Sequence, residues 1–284
     1  FRKPRLGQFL IEASIRDGQL KYLPDFPPVT DWQGSFRLER AGLQARARSG
    51  RIFNSMISDL QISIAEVDHA VLKLEGAIKG SAQEAIHFVN TSPIGERIDG
   101  FLRQAKASGE ASTRMSMSIP LKTPDQGTVT GRTTLAGSQV FLTDFLPRFS
   151  GVSGELVYGT AGFATTGLKL SMLGGPATVE ATTPEKGRLE LAIKGRASAA
   201  GIRSEIDSPI TANLQGEAGY RATIIVAQPG VSMNIDSDMV GMAMQLPEPL
   251  RKAAGTRLAL AITSRPVRLA GRAPARWGDR VAVK

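Results

Sequence analysis

Apolar and polar residues alternate at a period of two along most of this chain, and no other feature limits its fold so strongly. From Ala111 to Leu121 the positions Met115, Met117, Ile119 and Leu121 are apolar, while Ser112, Arg114, Ser116 and Ser118 are polar. Leu72, Leu74 and Ile78 alternate with Lys73, Glu75 and Lys79; Leu189, Leu191 and Ile193 alternate with Arg188, Glu190 and Lys194. The same beat returns at Leu60, Ile62 and Ile64, at Leu168, Leu170 and Met172, at Val231, Met233 and Ile235, and at Leu258, Leu260 and Ile262. Successive side chains of a strand point to opposite faces, so each run makes a strand with one dry and one wet face. Asp17-Gly18, Ala41-Gly42, Lys79-Gly80, Gly174-Gly175-Pro176, Gly195 and Pro229-Gly230 read as turns between such strands. The pattern predicts a mostly β, antiparallel protein. Helices are expected in three places. One opens at Ser92 with Pro93 in its first turn and carries Ile94, Ile98, Phe101, Leu102 and Ala105 on one stripe; shorter ones start near Pro209 and near Pro247, the last stopped by Gly255.

Composition excludes several classes of function. A chain of 284 residues has room for one large domain or two ordinary ones, and it holds no cysteine for a disulfide, a thiolate metal site or a nucleophile. Its two histidines, His69 and His87, read as structural or surface residues and leave almost nothing for a histidine-rich metal site or a histidine general base. No apolar run approaches the roughly 18 residues of a membrane-spanning helix; the longest, such as Ala222 to Ala227, are strand-sized. The chain begins at Phe1 and shows no signal peptide, so it reads as a piece of a longer protein whose targeting segment lies upstream.

Motifs that resemble catalytic ones fail on inspection. Gly151-Val152-Ser153-Gly154 lacks the spacing of a nucleophile elbow, and Leu173-Gly174-Gly175-Pro176 lacks the lysine and helix of a phosphate loop and reads as a turn. Asn90-Thr91-Ser92 matches a glycosylation acceptor, but Ser92 is expected to cap a helix. Asp236 and Asp238 lie two apart on one strand face and read as a solvated strand end. No catalytic residue, metal or cofactor is expected, and the protein is read as a non-enzyme. The formal charge is +9, yet Arg37, Arg46, Arg48, Lys73, Lys79, Arg114, Lys169, Arg188 and Lys194 are dispersed among apolar neighbours. Such dispersal suits solvated strand faces first, anionic lipid headgroups next and nucleic acid last, since the aromatic residues do not track the arginines.

The chain also matches itself. At an offset of 120, Gln19-Leu20 falls on Gln139-Val140, Pro27 on Pro147, Gly34 on Gly154, and Gly42-Leu43 on Gly162-Phe163. Further on, Ala77-Ile78-Lys79-Gly80 meets Ala192-Ile193-Lys194-Gly195, Ser92-Pro93-Ile94 meets Ser208-Pro209-Ile210, and Gly109-Glu110-Ala111 meets Gly216-Glu217-Ala218. Two repeat units are therefore expected at about 8–120 and 127–227, with a further unit starting in 231–284. Each would hold five or six strands, a short helix and a further strand. Laid side by side, they would make residues 1–284 one elongated, curved antiparallel sheet, with a continuous apolar gutter on its inner face. Its expected lining is Leu72, Leu74, Ile78, Met115, Met117, Ile119, Leu168, Leu170, Met172, Leu189, Leu191 and Ile193. Periodicity alone leaves two covers for that face: the second sheet of a closed β-sandwich, or a ligand's acyl chains.

Several short motifs resemble, in order, those of the AsmA-like superfamily, and within it the central region of YhdP-type envelope proteins. They are Asp17-Gly18-Gln19-Leu20-Lys21-Tyr22-Leu23-Pro24 with Pro27, Ser92-Pro93-Ile94, Ile119-Pro120-Leu121, and Leu173-Gly174-Gly175-Pro176. The most specific is Ser237-Asp238-Met239-Val240-Gly241, running on to Leu246-Pro247-Glu248-Pro249-Leu250-Arg251-Lys252. Family members are much longer and carry an N-terminal inner-membrane anchor, which is expected to lie outside the residues read here. The resemblance implies a β-groove that carries phospholipid across the periplasm of a Gram-negative bacterium, reaching the inner and outer membranes through parts of the protein not present here. It implies phospholipid as the partner, with no nucleic acid and no cofactor. Energetics favours such a device: at about 0.8 kcal/mol per methylene, a chain of about 16 carbons costs roughly 12 kcal/mol to expose to water. A structural segment of a large envelope protein with a closed core is the alternative.

Overall fold

The computed structural model describes residues 9–65, 70–97, 100, 102–143, 146–160, 162–185, 187–228, 230–268 and 277–284. Strands dominate. They run β1 Leu10–Leu20, β2 Val29–Glu39, β3 Gly42–Ile52, β4 Ser55–Ile64 and β5 Val71–Ser81, followed by helices α1 Ala82–Asn90 and α2 Pro93–Arg97 and then β6 Lys106–Pro120. Next come β7 Thr128–Phe141, β8 Phe149–Gly159, β9 Gly162–Met172, β10 Gly175–Glu185 and β11 Arg188–Ser198, helices α3 Ala199–Glu205 and α4 Pro209–Ala212, and β12 Leu214–Ala227. β13 Gly230–Ser237, β14 Met242–Met244, β15 Leu260–Arg268 and β16 Trp277–Val283 complete the series. Hydrogen bonding takes the strands in chain order from β1 to β13 and on to β15 and β16, with β14 on the start of β12. The fold is the mostly β, antiparallel sheet with few short helices that the alternation predicts. The described residues pack as two compact units, the first drawn from 1–96, 109–135 and 157–160 and the second from the remainder. From β7 to β12 the order is five strands, two short helices and a strand, the same order as from β1 to β6.

Local expectations fare unevenly. The helix at Ser92 is only Pro93–Arg97; Leu102 and Ala105 lie past its end, and Ile98 and Phe101 lie outside the described residues. The Ser92 hydroxyl donates back to the Val89 carbonyl at 3.2 Å. Near Pro247 there is a turn, closed by Leu250 N–H on the Pro247 carbonyl at 2.9 Å, where a helix was expected. Pro249 has no N–H to give and disfavours helical geometry at Glu248, so a helix cannot propagate there. Asp17-Gly18, Lys79-Gly80 and Gly195 lie inside β1, β5 and β11 and are not turns. Asp17 has φ +54° and the β1–β2 register slips between Ile15 and Gly18, which marks a bulge. Leu258 precedes β15, and Pro229 of Pro229-Gly230 lies outside the described residues.

Helix α1, absent from the sequence expectation, starts at a recognisable signal. Ser81 accepts the Glu84 N–H at 3.2 Å, the first half of a Ser-x-x-Glu cap. The Glu84 carboxylate takes the Ser55 hydroxyl and the Asn54 N–H, the latter at 3.0 Å, tying the helix to the turn before β4. Burial pushes this carboxyl up, but the bonds from Ser55, Asn54 and the Ser81 backbone outweigh it and hold Glu84 below its ordinary pKa of 4.5. A carboxylate depressed in the folded state stabilises fully above its unfolded pKa and loses that contribution as pH falls through the folded value. Glu84→Gln should therefore lower the urea midpoint at pH 7, and the gap to the parent should close once pH drops well below 4.5. A gap independent of pH would mean that the ionised form matters little.

Candidate functional site: the apolar face

In the first unit the β5–β6 register sets Leu72 opposite Ile119, Leu74 opposite Met117, and Met115 opposite Gly76. Residues directly opposed across an antiparallel pair share a face. Ile62 continues the Leu74–Met117 row on β4, and Phe36 and Ala45 extend it to β2 and β3. Met117 is 2% exposed and Leu74 4%, and Leu72, Met115 and Ile119 are buried with them in one apolar cluster. Ile78 is half-buried against that cluster, as are Tyr22, Phe26 and Phe88. The intervening Lys73, Glu75 and Lys79 are exposed.

The second unit repeats the arrangement. Leu168, Val179, Ile193, Ala222, Ile235 and Ile262 stand opposite one another in a row from β9 through β13 to β15. Leu191 lies between Ala181 and Ile224, Leu189 opposite Val226, Leu170 opposite Ala177, and Met172 opposite Gly175. All six of these expected lining residues, Leu168, Leu170, Met172, Leu189, Leu191 and Ile193, are buried. Within each unit the alternation thus places its six residues on a common apolar face.

That face also carries polar groups that the alternation does not announce. Tyr158 lies across Gly131: a Cβ there would stand 2.2 Å from Tyr158 Cζ, so only glycine fits. The Tyr158 hydroxyl is bonded by Thr133, and Thr133 is 2.8 Å from the Thr113 hydroxyl. Tyr220 sits opposite Gly195 in the same manner, its hydroxyl 2.8 Å from where a Cβ would be. This hydroxyl has no hydrogen-bond partner among the described residues, and neither do Tyr22 Oη and Trp32 Nε1. Burial pushes the Tyr220 phenol up to about 12 and raises Tyr22 as well. The available signal was a glycine in phase with the apolar positions of a strand, a hollow that asks for a large neighbour.

Outside the face, the expected features resolve simply. His87 lies in the last turn of α1, its ring centroid 4.4 Å from that of Phe53; His69 is outside the described residues. Asp238 falls beyond β13, where its carboxylate accepts the Val240 N–H at 3.1 Å, so it does not share a strand face with Asp236. Among the described residues no three of His, Cys, Asp and Glu are grouped to hold a metal, and no helix is long and apolar enough to cross a membrane. Lys252 was not anticipated. It is 6% exposed, and its ammonium donates to the carbonyls of Met239 and Met242, each at 2.7 Å, and of Ala253 at 3.1 Å. It thereby fastens the loop that covers the small core of Ala199, Leu214, Ala218, Met239 and Met242.

Strands taken in chain order, alternating between a charged face and an apolar one, define a β-sheet protein organised around a hydrophobic surface. The chain belongs to the YhdP protein family, whose model matches residues 1–283. It is similar to the intermembrane phospholipid transporter YhdP of Escherichia coli (strain K12), with 21% identity over 264 residues, covering 89% of this chain. The match spans 20% of the length of that relative. No solved structure matches the chain.

Proposed function

We propose that this chain is a non-enzymatic, lipid-conducting segment whose apolar face shields phospholipid acyl chains while headgroups stay in water. The observation that carries this reading is the strand-to-strand continuity of the apolar rows, such as Leu168–Val179–Ile193–Ala222–Ile235–Ile262. Membership of the YhdP family and the similarity to a phospholipid transporter support it. A closed sandwich stacks two separately bonded sheets, whereas these strands follow one chain-order path. The lining is nearly all aliphatic and sulfur-bearing, and Met115, Met117 and Met172 are unbranched side chains that repack around a passing methylene chain at little cost. In this reading the runs β1–β6 and β7–β12 are two copies of one unit, each offering an apolar face to acyl chains. The segment works in the periplasm, as part of a protein anchored in the inner membrane.

A photo-crosslinking amino acid at Ile78, half-buried on the apolar face, tests this beside the same residue at exposed Lys79. Irradiation in a Gram-negative host should attach phospholipid at position 78, detected by mass spectrometry, and little at 79. Equal labelling at both positions, or none at 78, would end the reading.

A further inference from the structure

Of the buried donors that make no hydrogen bond among the described residues, two stand out because their tips lie against a glycine, as that of Tyr22 does not. Trp32 is 5% exposed and Tyr220 7%, and neither Trp32 Nε1 nor the Tyr220 hydroxyl has a partner among the described residues. Both belong to the apolar face of their own unit. Trp32 is a member of the first unit's cluster, and Tyr220 alternates with buried Ala218 and Ala222 on β12. Both tips are held over glycine: a Cβ on Gly34 would lie 2.6 Å from Trp32 Nε1, and one on Gly195 would lie 2.8 Å from Tyr220 Oη. The hollow left by each glycine accommodates the ring, and neither tip bonds the backbone carbonyl that borders it, Arg46 in one case and Pro176 in the other. Tyr158 is the internal comparison, since the same tyrosine-over-glycine arrangement there is completed by Thr133. A buried polar group without a partner is costly and calls for a specific explanation.

The indole can only donate. Its complement is an acceptor that arrives on an otherwise apolar molecule. Esterified acyl chains have that chemistry: each ester brings a carbonyl acceptor and no donor, at the head of a long methylene run. We propose that Trp32 Nε1 and Tyr220 Oη are donors to acyl-ester carbonyls, one station in each unit. They would set the depth at which a diacyl lipid lies on the face. This rests on the reading that acyl chains occupy the apolar face, and it adds a preference for ester over ether linkage that a merely greasy surface would not show.

The test is competition on the purified chain between palmitoyl-oleoyl phosphatidylethanolamine and its dialkyl ether counterpart, presented together in mixed micelles. Bound lipid is counted by native mass spectrometry. The parent should enrich the diester by about fivefold, the worth of roughly one neutral hydrogen bond. Trp32→Phe and Tyr220→Phe should each reduce that ratio, and the double variant should take up both lipids equally. Without lipid, Tyr220→Phe should keep or raise the melting temperature, because it deletes a hydroxyl that bonds to nothing. Equal uptake by the parent overturns the ester preference and leaves the groove standing, as does an undiminished ratio in the double variant. A clear drop in melting temperature in Tyr220→Phe also overturns it, by revealing a structural partner. Uptake of neither lipid overturns the groove reading itself and this inference with it.

Discussion

Met117→Asp should unfold the first unit at neutral pH. Met117 is 2% exposed, stands opposite Leu74 and belongs to a cluster of aliphatic, aromatic and methionine side chains. An ionised carboxylate there gives up its hydration without gaining a donor, which costs several kcal/mol. Set against a typical domain stability of about 5–15 kcal/mol, that is most of the margin. Met117→Leu keeps volume and polarity and should cost less than about 1.5 kcal/mol. Urea unfolding followed by circular dichroism separates the two. The aspartate variant should also recover part of its stability as pH falls and the carboxyl takes a proton. An aspartate variant within 1 kcal/mol of the parent would show that water reaches this position. The depth of Met117 also explains why the lipid test belongs at Ile78, where a change need not destroy the fold.

Lys252→Met should cost about 3 kcal/mol or more in the second unit. The ammonium spends its three donors on the carbonyls of Met239, Met242 and Ala253. The first and last also accept the Met242 and Thr256 N–H groups. Its loss therefore breaks three charge-assisted bonds, each worth on the order of 1 kcal/mol or more, and strips the Met242 carbonyl. The segment is also held by the short β14, the Met244–Lys252 bridge, the Gly241 N–H on the Ala254 carbonyl at 2.8 Å and the Leu258 N–H on the Asp238 carbonyl at 2.9 Å. The buried side chains of Met239 and Met242 hold it as well, so the variant should loosen it rather than unfold the unit. Lys252→Arg should not restore the parent, because a planar guanidinium cannot aim at three carbonyls arranged around a point. Limited proteolysis should cut the variants between residues 238 and 256 first. A methionine variant that resists urea and protease as the parent does would show that the backbone bonds of this segment hold it without the ammonium.

Much of the fold was legible because a strand's faces are a local property. Leu72, Leu74, Met115 and Met117 declare their side by alternation alone, and the register then brings them opposite one another. What sequence could not supply is whatever lies across from a residue. Gly195 looks like a turn until Tyr220, on the next strand, is seen filling its hollow. Lys79-Gly80 looks like a turn for the same reason, though Gly80 faces the Ser55 hydroxyl and the Glu84 carboxylate. Helix α1 hid behind an apolar alternation that carried on up to its cap, although Ser81 and Glu84 stood at the diagnostic spacing. The unpaired tips of Trp32 and Tyr220 were beyond sequence altogether, since whether a donor is satisfied depends on every atom around it.

The pairing of nearly every strand with its neighbour in sequence, β14 excepted, has a consequence for how the molecule is made. Consider a ribosome releasing the chain from its N-terminus. When β2 emerges, β1 is already there to receive it, and β3 then finds β2 waiting. Most strands on that path find their partner across a short loop; only β5, β11 and β13 must wait for the helices or the β14 segment that follow them before the next strand arrives. Such a chain can zip up as it is synthesised, leaving one growing edge at a time open to mispairing.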